Sequence, residues 1–273
     1  METIGMVGVG ASGRALLERL RLKGEAVAAY DSSEESREAA RALGADVVST
    51  AAEVAKRSTI VDVVVRDDQQ VLDCMTGKNG IIEGARKGGL VLLHSTILPS
   101  TTHKVADLAA RRGVDVIDAC MIGVPKSVRE GKLTFIVGGA DTLVQRATPH
   151  LLKMARQVFH MGPRGAGNAA KLIKNLTTGA EILIFYQALR IGEAAGVHYR
   201  DALEMMRKSY AGPLLDHWRD SFDESGSGPK PIMTKNGTIF EKDIPLAGAL
   251  AREYGLDLPL ADALVAEALR VRR

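Results

Sequence analysis

The sequence predicts an α/β chain with a second, all-helical domain, and three observations carry that expectation. Short apolar runs alternate with helical stretches through the first 160 residues, the pattern of parallel βαβ units. After Gly162 the alternation stops, and one helical stretch without proline runs from Gly167 to Ala195. At 46% hydrophobic and 25% charged over 273 residues, the chain can bury real cores without disulfides, which excludes general disorder. The reading is a doubly wound parallel sheet over residues 1–163 and an all-α domain over 164–273.

Each element has a local reason. Thr3–Val9 reads as the first strand and Ser12–Leu22 as the first helix. Ala26–Tyr30 is a strand, and Ser33–Leu43 a helix capped by Ser32 or Ser33. Asp46–Val48 is a short strand. Thr59–Val65 is almost continuously β-branched, as in a strand buried on both faces. Leu90–His94 and Val114–Asp118 are further strands, with the helix Thr101–Arg112 between them. Leu133–Val137 is a strand before Gly138-Gly139, followed by the helix Leu143–Met154 and the strand Val158–Met161.

In the second domain, Leu172, Leu176, Leu183, Tyr186 and Leu189 fall at helix-face spacing. At ~1.5 Å per residue this helix is roughly 40 Å long, and Gly196 suits its C′ position. Helices are also expected over Asp201–Tyr210, Pro213–Ser221, Pro245–Tyr254 and Leu260–Val271, with a polar loop over Glu224–Pro231.

Several function classes are disfavoured. Aromatics are 4%, too few for a base-stacking surface, and the net charge of +3 is not gathered into a basic arm, so no nucleic-acid partner is expected. No apolar run nears the ~18 residues of a membrane span. The apolar strand pattern begins by Ile4 with no basic leader. Cys74 and Cys120 form neither a CxxC nor a metal spacing, which fits free thiols in a reducing cytoplasm. The histidines show no metal spacing, and neither GxSxG nor a Cys/His arrangement supports a hydrolase.

Two clusters point to chemistry. Gly8-Val9-Gly10-Ala11-Ser12-Gly13 matches GxGxxG between a strand and a helix, where Gly8 makes the turn, Gly10 admits a pyrophosphate and Gly13 lets helix meet strand. Phosphates there meet free N–H groups at a positive helix end. Asp31, at the end of the second strand, suits the adenosine ribose hydroxyls and repels a 2′-phosphate. The nearest following arginine is Arg37, so the Rossmann fingerprint favours NAD over NADP. The second cluster lies where Gly165-Ala166-Gly167 leads into a helix carrying Lys171 and Asn175 at i and i+4, on one face. The positive helix end disfavours a charged lysine, which suits general acid–base work.

The chain resembles the β-hydroxyacid dehydrogenases, which include 3-hydroxyisobutyrate dehydrogenases and tartronate semialdehyde reductases. Their fold group also holds 6-phosphogluconate dehydrogenases and imine reductases. Five motifs occur in the family's order over nearly the whole chain: the glycine turn with Asp31, Ser95-Thr96-Ile97-Leu98-Pro99, the segment opening at Asp118-Ala119, the Lys171/Asn175 helix, and Lys242-Asp243-Ile244-Pro245-Leu246-Ala247. The resemblance implies hydride transfer between a nicotinamide and a hydroxy acid or related alcohol. Lys171 is then the acid/base, and Asn175 holds the substrate and orients the lysine. Thr96 lies near the reacting carbon, and Lys242 at the cofactor end. Val65 and Arg66 follow the fourth strand where relatives show an apolar–proline pair; Arg66 is read either over the adenine or phosphates or as a solvated loop residue. Ser95, Met121, Ile122, Gly123 and Trp218 complete the expected substrate set.

The substrate segment departs from the family's DAPVSGG. Ile122 replaces the serine and Val124 the second glycine, so a bulkier or less polar substrate is expected, or an anion held by backbone N–H groups and Lys126 or Arg129. His94 is read as a strand-end histidine satisfied by backbone. An NADPH-dependent semialdehyde reductase, an imine reductase and a non-catalytic dinucleotide binder are the rivals. The long helix is expected to build a homodimer or homotetramer through the helical domain.

Overall fold

The computed structural model describes residues 2–209 and 239–271. Trp218, the helix expected over Pro213–Ser221 and the loop expected over Glu224–Pro231 lie outside the described residues. The chain divides into two compact units, Met1–Lys171 and Leu172–Arg273.

The first unit is an eight-stranded sheet. Its strands are β1 (Ile4–Val7), β2 (Val27–Tyr30), β3 (Asp46–Val47), β4 (Ile60–Val63), β5 (Leu90–Leu93), β6 (Asp115–Ile122), β7 (Thr134–Gly138) and β8 (Gln157–Gly162), in the spatial order β3-β2-β1-β4-β5-β6-β7-β8. The chain winds outward from β1 to β3, then restarts at β4 on the other side of β1. The ends of β1 and β4 therefore mark the point where the winding direction reverses, where such sheets bind ligands. Alternate side chains feed two cores. Leu90 and Leu92 enter one with Ile4, Met6, Leu16, Leu20 and Phe135; Val91 and Leu93 enter the other with Val7, Val54, Val63, Met75 and Val105.

The covering helices are α1 (Ala11–Leu22), α2 (Glu34–Ala42), α3 (Ala51–Arg57), α4 (Asp68–Thr76), α5 (Ile81–Gly84), α6 (Pro99–Ala110), α7 (Pro125–Arg129) and α8 (Asp141–Met154). Ser33 caps α2, its hydroxyl accepting the Ser36 N–H. The helices α3, α5 and α7 were not anticipated, because at four to seven residues they are too short to show a helical period, and neither was the nine-residue α4. Two of them carry cap signals: Thr50 of α3 accepts the Glu53 N–H at 3.1 Å and Asp67 of α4 the Gln70 N–H at 2.9 Å.

The doubly wound sheet is parallel at every pairing but one: β6 and β7 run antiparallel, Asp118 opposite Gly138 through Ile122 opposite Thr134. The connection between them holds only the short α7, whereas a crossover to a parallel strand takes a dozen or more residues. One boundary is corrected: β6 runs on to Ile122, so the expected substrate loop from Asp118 is strand up to Ile122.

The second unit takes most of the long helix α9 (Ala166–Ala194), then α10 (Tyr199–Arg207), a π-helical turn (Ile239–Asp243), α11 (Ile244–Glu253) and α12 (Pro259–Val271). Ile182, Leu183, Phe240, Ile244 and Ala268 form one core, and Leu189, Tyr199 and Leu203 a smaller one. A Cβ on Gly179 would fall 2.2 Å from Ile244 Cδ1, so a residue without a side chain lets α9 meet α11. No described helix is long and apolar enough to cross a membrane.

Candidate active site

The turn after β1 is shaped by two close approaches and one opening. Gly8 has φ +94°, and a Cβ there would lie 2.2 Å from the Val64 carbonyl oxygen. A Cβ on Gly13 would lie 2.1 Å from the Gly8 oxygen, yet one on Gly10 would meet nothing within 4 Å. The turn thus packs tightly below and lies open above Gly10. The first turn of α1, from Ala11 through Ser12 and Gly13, has neither a capping side chain nor an acidic residue, so its N–H groups keep their positive end toward the opening. Asp31 closes the turn from β2: Oδ2 accepts the Val9 N–H at 2.6 Å and Oδ1 the Ser33 N–H at 2.9 Å. Arg37 is turned away from the carboxylate, donating to the Asp31 and Ser32 carbonyls and pairing with Glu34.

The loops after β4 and β5 are tied together. The Ser95 hydroxyl donates to the Val65 carbonyl at 2.7 Å and accepts the Val65 N–H at 3.2 Å. Ser95 is therefore a buried brace between these loops, beside the half-buried Thr96. Arg66 is exposed, and its N–H donates to the Gln70 side chain. Asp68 accepts from the Leu98 N–H and the Thr101 hydroxyl at the start of α6. Of the acidic pair after Arg66, Asp67 thus caps α4 and Asp68 ties α4 to the start of α6.

Asp118 and Asn168 fasten the start of α9 to β6. The buried Asp118 carboxylate accepts the Gly165 N–H at 2.6 Å and the Asn168 N–H at 2.8 Å. Burial pushes the Asp118 carboxyl up, against the lowering effect of those N–H groups. Asn168 donates to the Ser95 carbonyl and accepts from the Thr102 hydroxyl. A Cβ on Gly138 or Gly167 would lie 2.7 Å from an Asp118 oxygen, so both glycines are needed for this seat.

On that seat, half-buried Lys171 donates from Nζ to the Met121 carbonyl at 2.7 Å. Met121 packs its side chain against the core, leaving its backbone for the lysine. Ile122 is on the opposite face of β6, the face of Cys120, whose sulfur meets Asn168 Nδ2 at 3.1 Å. Gly123 follows with φ +142°. Arg129, expected as one candidate to hold an anion, pairs with Glu18 of α1 at 2.6 Å.

In the second unit, Asn175 Nδ2 donates to Asp243 Oδ2 at 2.7 Å, and the Lys242 ammonium lies 2.9 Å from Asp243 Oδ1. Asn175 Oδ1 is buried with no partner among the described residues. Burial lowers the Lys174 ammonium nearby, against the opposing pull of Glu181 and Asp243.

The family model for the NAD binding domain of 6-phosphogluconate dehydrogenase matches residues 3–162, and that for the NAD-binding domain of NADP-dependent 3-hydroxyisobutyrate dehydrogenase matches residues 165–271. The chain belongs to the β-hydroxyacid dehydrogenase family. Among relatives, 2-(hydroxymethyl)glutarate dehydrogenase of Eubacterium barkeri is 31% identical, over 94% of this chain and 85% of that protein. The solved structure of Mycobacterium tuberculosis 3-hydroxyisobutyrate dehydrogenase with L-serine has a TM-score of 0.86 at 24% identity, covering 99% of this chain and 93% of that one. An imine reductase from Myxococcus stipitatus shares the fold at a TM-score of 0.70 and 18% identity, over 99% and 93% of the two chains. This family member is an oxidoreductase of CH–OH groups that uses a nicotinamide dinucleotide.

Sequence reasoning did not single out Asp118 and Asn168 as anchors, nor Asp243 as the partner of Asn175. Asp118 and Asp243 each had a signal, an acidic residue beside a recognised motif. Asn168 had none, because its partners Ser95, Thr102 and Cys120 are far away in sequence.

Proposed function

We propose that this β-hydroxyacid dehydrogenase is NAD-dependent, interconverting a hydroxy acid or related alcohol and its semialdehyde, with Lys171 as general acid/base. The observation that carries the reading is the Lys171 ammonium bound to the Met121 carbonyl, in the segment that the family resemblance assigns to the substrate. The glycine turn fits a dinucleotide: Gly10 opens onto space that a Cβ would otherwise enter, beside the uncapped first turn of α1. The acidic Asp31 and the engagement of Arg37 with Glu34 and two carbonyls favour a free ribose hydroxyl over a 2′-phosphate. Val65, Arg66, Thr96 and Lys242 complete the proposed cofactor contacts. When bound, the nicotinamide supplies the hydride acceptor or donor.

Lys171 takes the hydroxyl proton in oxidation and returns it in reduction. Met121 holds the ammonium by its carbonyl, which limits the directions Nζ can point. Asn175, oriented by Asp243, offers its unpartnered Oδ1 to the substrate. Ile122 shares the strand face of Cys120 and supplies apolar volume, so the preferred substrate carries more apolar bulk than a small polar hydroxy acid. An intact Lys171 disfavours imine reduction.

Oligomer assembly through α9 is part of the same reading. Ile173, Ile184 and Ile191 are 62%, 62% and 71% exposed and lie along one stripe, at spacings of eleven and seven residues. A second copy of the chain is the proposed cover. Cys74 and Cys120 form no disulfide, which suits a reducing cytoplasm.

The test is turnover followed by the absorbance of reduced nicotinamide. NAD and NADP are offered separately against hydroxy acids graded by apolar bulk. Lys171→Ala should lower kcat by about 10²–10⁴ and leave NAD binding by calorimetry unchanged. Full turnover in that variant would overturn the assignment.

A further inference from the structure

One face of the first unit's core contains a carboxylate where the strand pattern calls for an apolar side chain. Asp62 shares its face of β4 with Ile60, and its register neighbours are Met6 on β1 and Leu92 on β5, all three core residues. Asp62 is fully buried, and so is the side chain of His94. Asp62 Oδ1 lies 2.8 Å from His94 Nε2, and Oδ2 lies 2.8 Å from Nε2 of His150 on α8. Burial pushes the Asp62 carboxyl up, but the charge and hydrogen bonds of His150 and the hydrogen bond of His94 hold it well below the usual carboxylate range.

The other nitrogen of His94 decides what this cluster does. Nδ1 lies 2.7 Å from the Ala119 carbonyl oxygen, which can only accept, so Nδ1 carries a hydrogen. The β5–β6 ladder ends at Leu93 opposite Asp118, and the His94 ring takes the next β6 carbonyl in place of a backbone N–H. Two residues further along the strand is the Met121 carbonyl that holds Lys171. His94 was expected to be satisfied by backbone; the structure gives one nitrogen to backbone and the other to a buried carboxylate.

We propose that His94 is a positioning residue: aligned by Asp62 and His150, it fixes the Ala119 carbonyl and thereby sets the end of β6 for the Lys171 contact at Met121. Its effect on turnover rests on the reading of Lys171 as acid/base, but its effect on β6 does not.

Two variants separate positioning from support of the fold. In His94→Asn the amide nitrogen replaces Nδ1, so the Ala119 bond is kept and Asp62 loses a partner. In His94→Gln the amide replaces Nε2, so Asp62 is kept and Ala119 is lost. A purely structural role, dominated by the buried carboxylate, ranks Gln above Asn in thermal stability and in everything that follows stability. Positioning predicts the opposite order for the site. The Lys171 ammonium resonance in ¹H–¹⁵N spectra of the full chain reads this without any substrate. Its solvent exchange should rise about tenfold in His94→Gln, the scale of one lost net hydrogen bond, and stay within twofold in His94→Asn. kcat should follow the ammonium signal, with KM little changed. Equal exchange in the two variants, or an order that follows thermal stability, would overturn the proposal. Lys171→Ala, run alongside, tests the acid/base reading separately: full turnover there removes that reading and leaves the exchange ranking to decide His94.

Discussion

Asp118 offers the sharpest test of how the site is built. Its carboxylate accepts two backbone N–H groups, from Gly165 at 2.6 Å and Asn168 at 2.8 Å, and has no exposure to water. In Asp118→Asn one oxygen remains an acceptor, while an NH₂ group is pressed against the other N–H. One charge-assisted hydrogen bond is lost, worth ~1.5–3 kcal/mol, and a buried donor is left unsatisfied at ~1–3 kcal/mol. Relief of carboxylate burial, which pushes the Asp118 pKa up, offsets part of this. The net expectation is a loss of about 2–3 kcal/mol. Amide hydrogen exchange at Gly165 and Asn168 is the local assay, and denaturant unfolding is the global one. One of the two amides should lose about 2–3 kcal/mol of protection, and kcat should fall because Lys171 sits one turn beyond Asn168. Protection at both amides within about 0.5 kcal/mol of the parent protein, the range of a neutral surface change, would refute the anchoring argument.

Other outcomes follow from the same geometry. Gly10→Ala has room for its Cβ and φ −66°, so stability should stay within ~0.5 kcal/mol while the calorimetric Kd for the nicotinamide dinucleotide rises. Gly13→Ala, with 2.1 Å to the Gly8 oxygen, should unfold at far lower denaturant than Gly10→Ala. Ile122→Ser should shift kcat/KM toward small polar hydroxy acids by about 10-fold or more; an unchanged ratio between small and bulky substrates would remove Ile122 from the specificity argument. Glu2 is bonded by Arg146 and Thr59, which lower its pKa from 4.5 to about 2. A depressed carboxylate stabilises above its unfolded value and loses that contribution as pH falls through about 2. Because Glu2 is partly exposed, Glu2→Gln should cost about 1 kcal/mol or less at neutral pH, with the difference from the parent protein vanishing at low pH in thermal melts.

The sequence by itself determined the fold class, the order of the strands along the chain, the glycine turn and the long helix that bears Lys171 and Asn175. These are local properties: apolar runs, glycine placement and an i, i+4 spacing are read within a few residues. It also marked the separate parts of Gly8, Gly10 and Gly13 in the turn, and the packed turn adds the distances that leave no room for a Cβ at Gly8 or Gly13 and open space at Gly10. The tertiary structure alone decided the antiparallel β6–β7 pairing, because it depends on how short the α7 connection is in space. It alone turned Ser95 into a brace and bound Arg129 to Glu18, through partners distant in sequence. Asp62, His94 and His150 come from β4, the end of β5 and α8, and no spacing links them. A buried carboxylate is costly wherever it stands alone, and only the fold shows that two imidazoles stand around this one, one of them bonded in turn to a strand carbonyl.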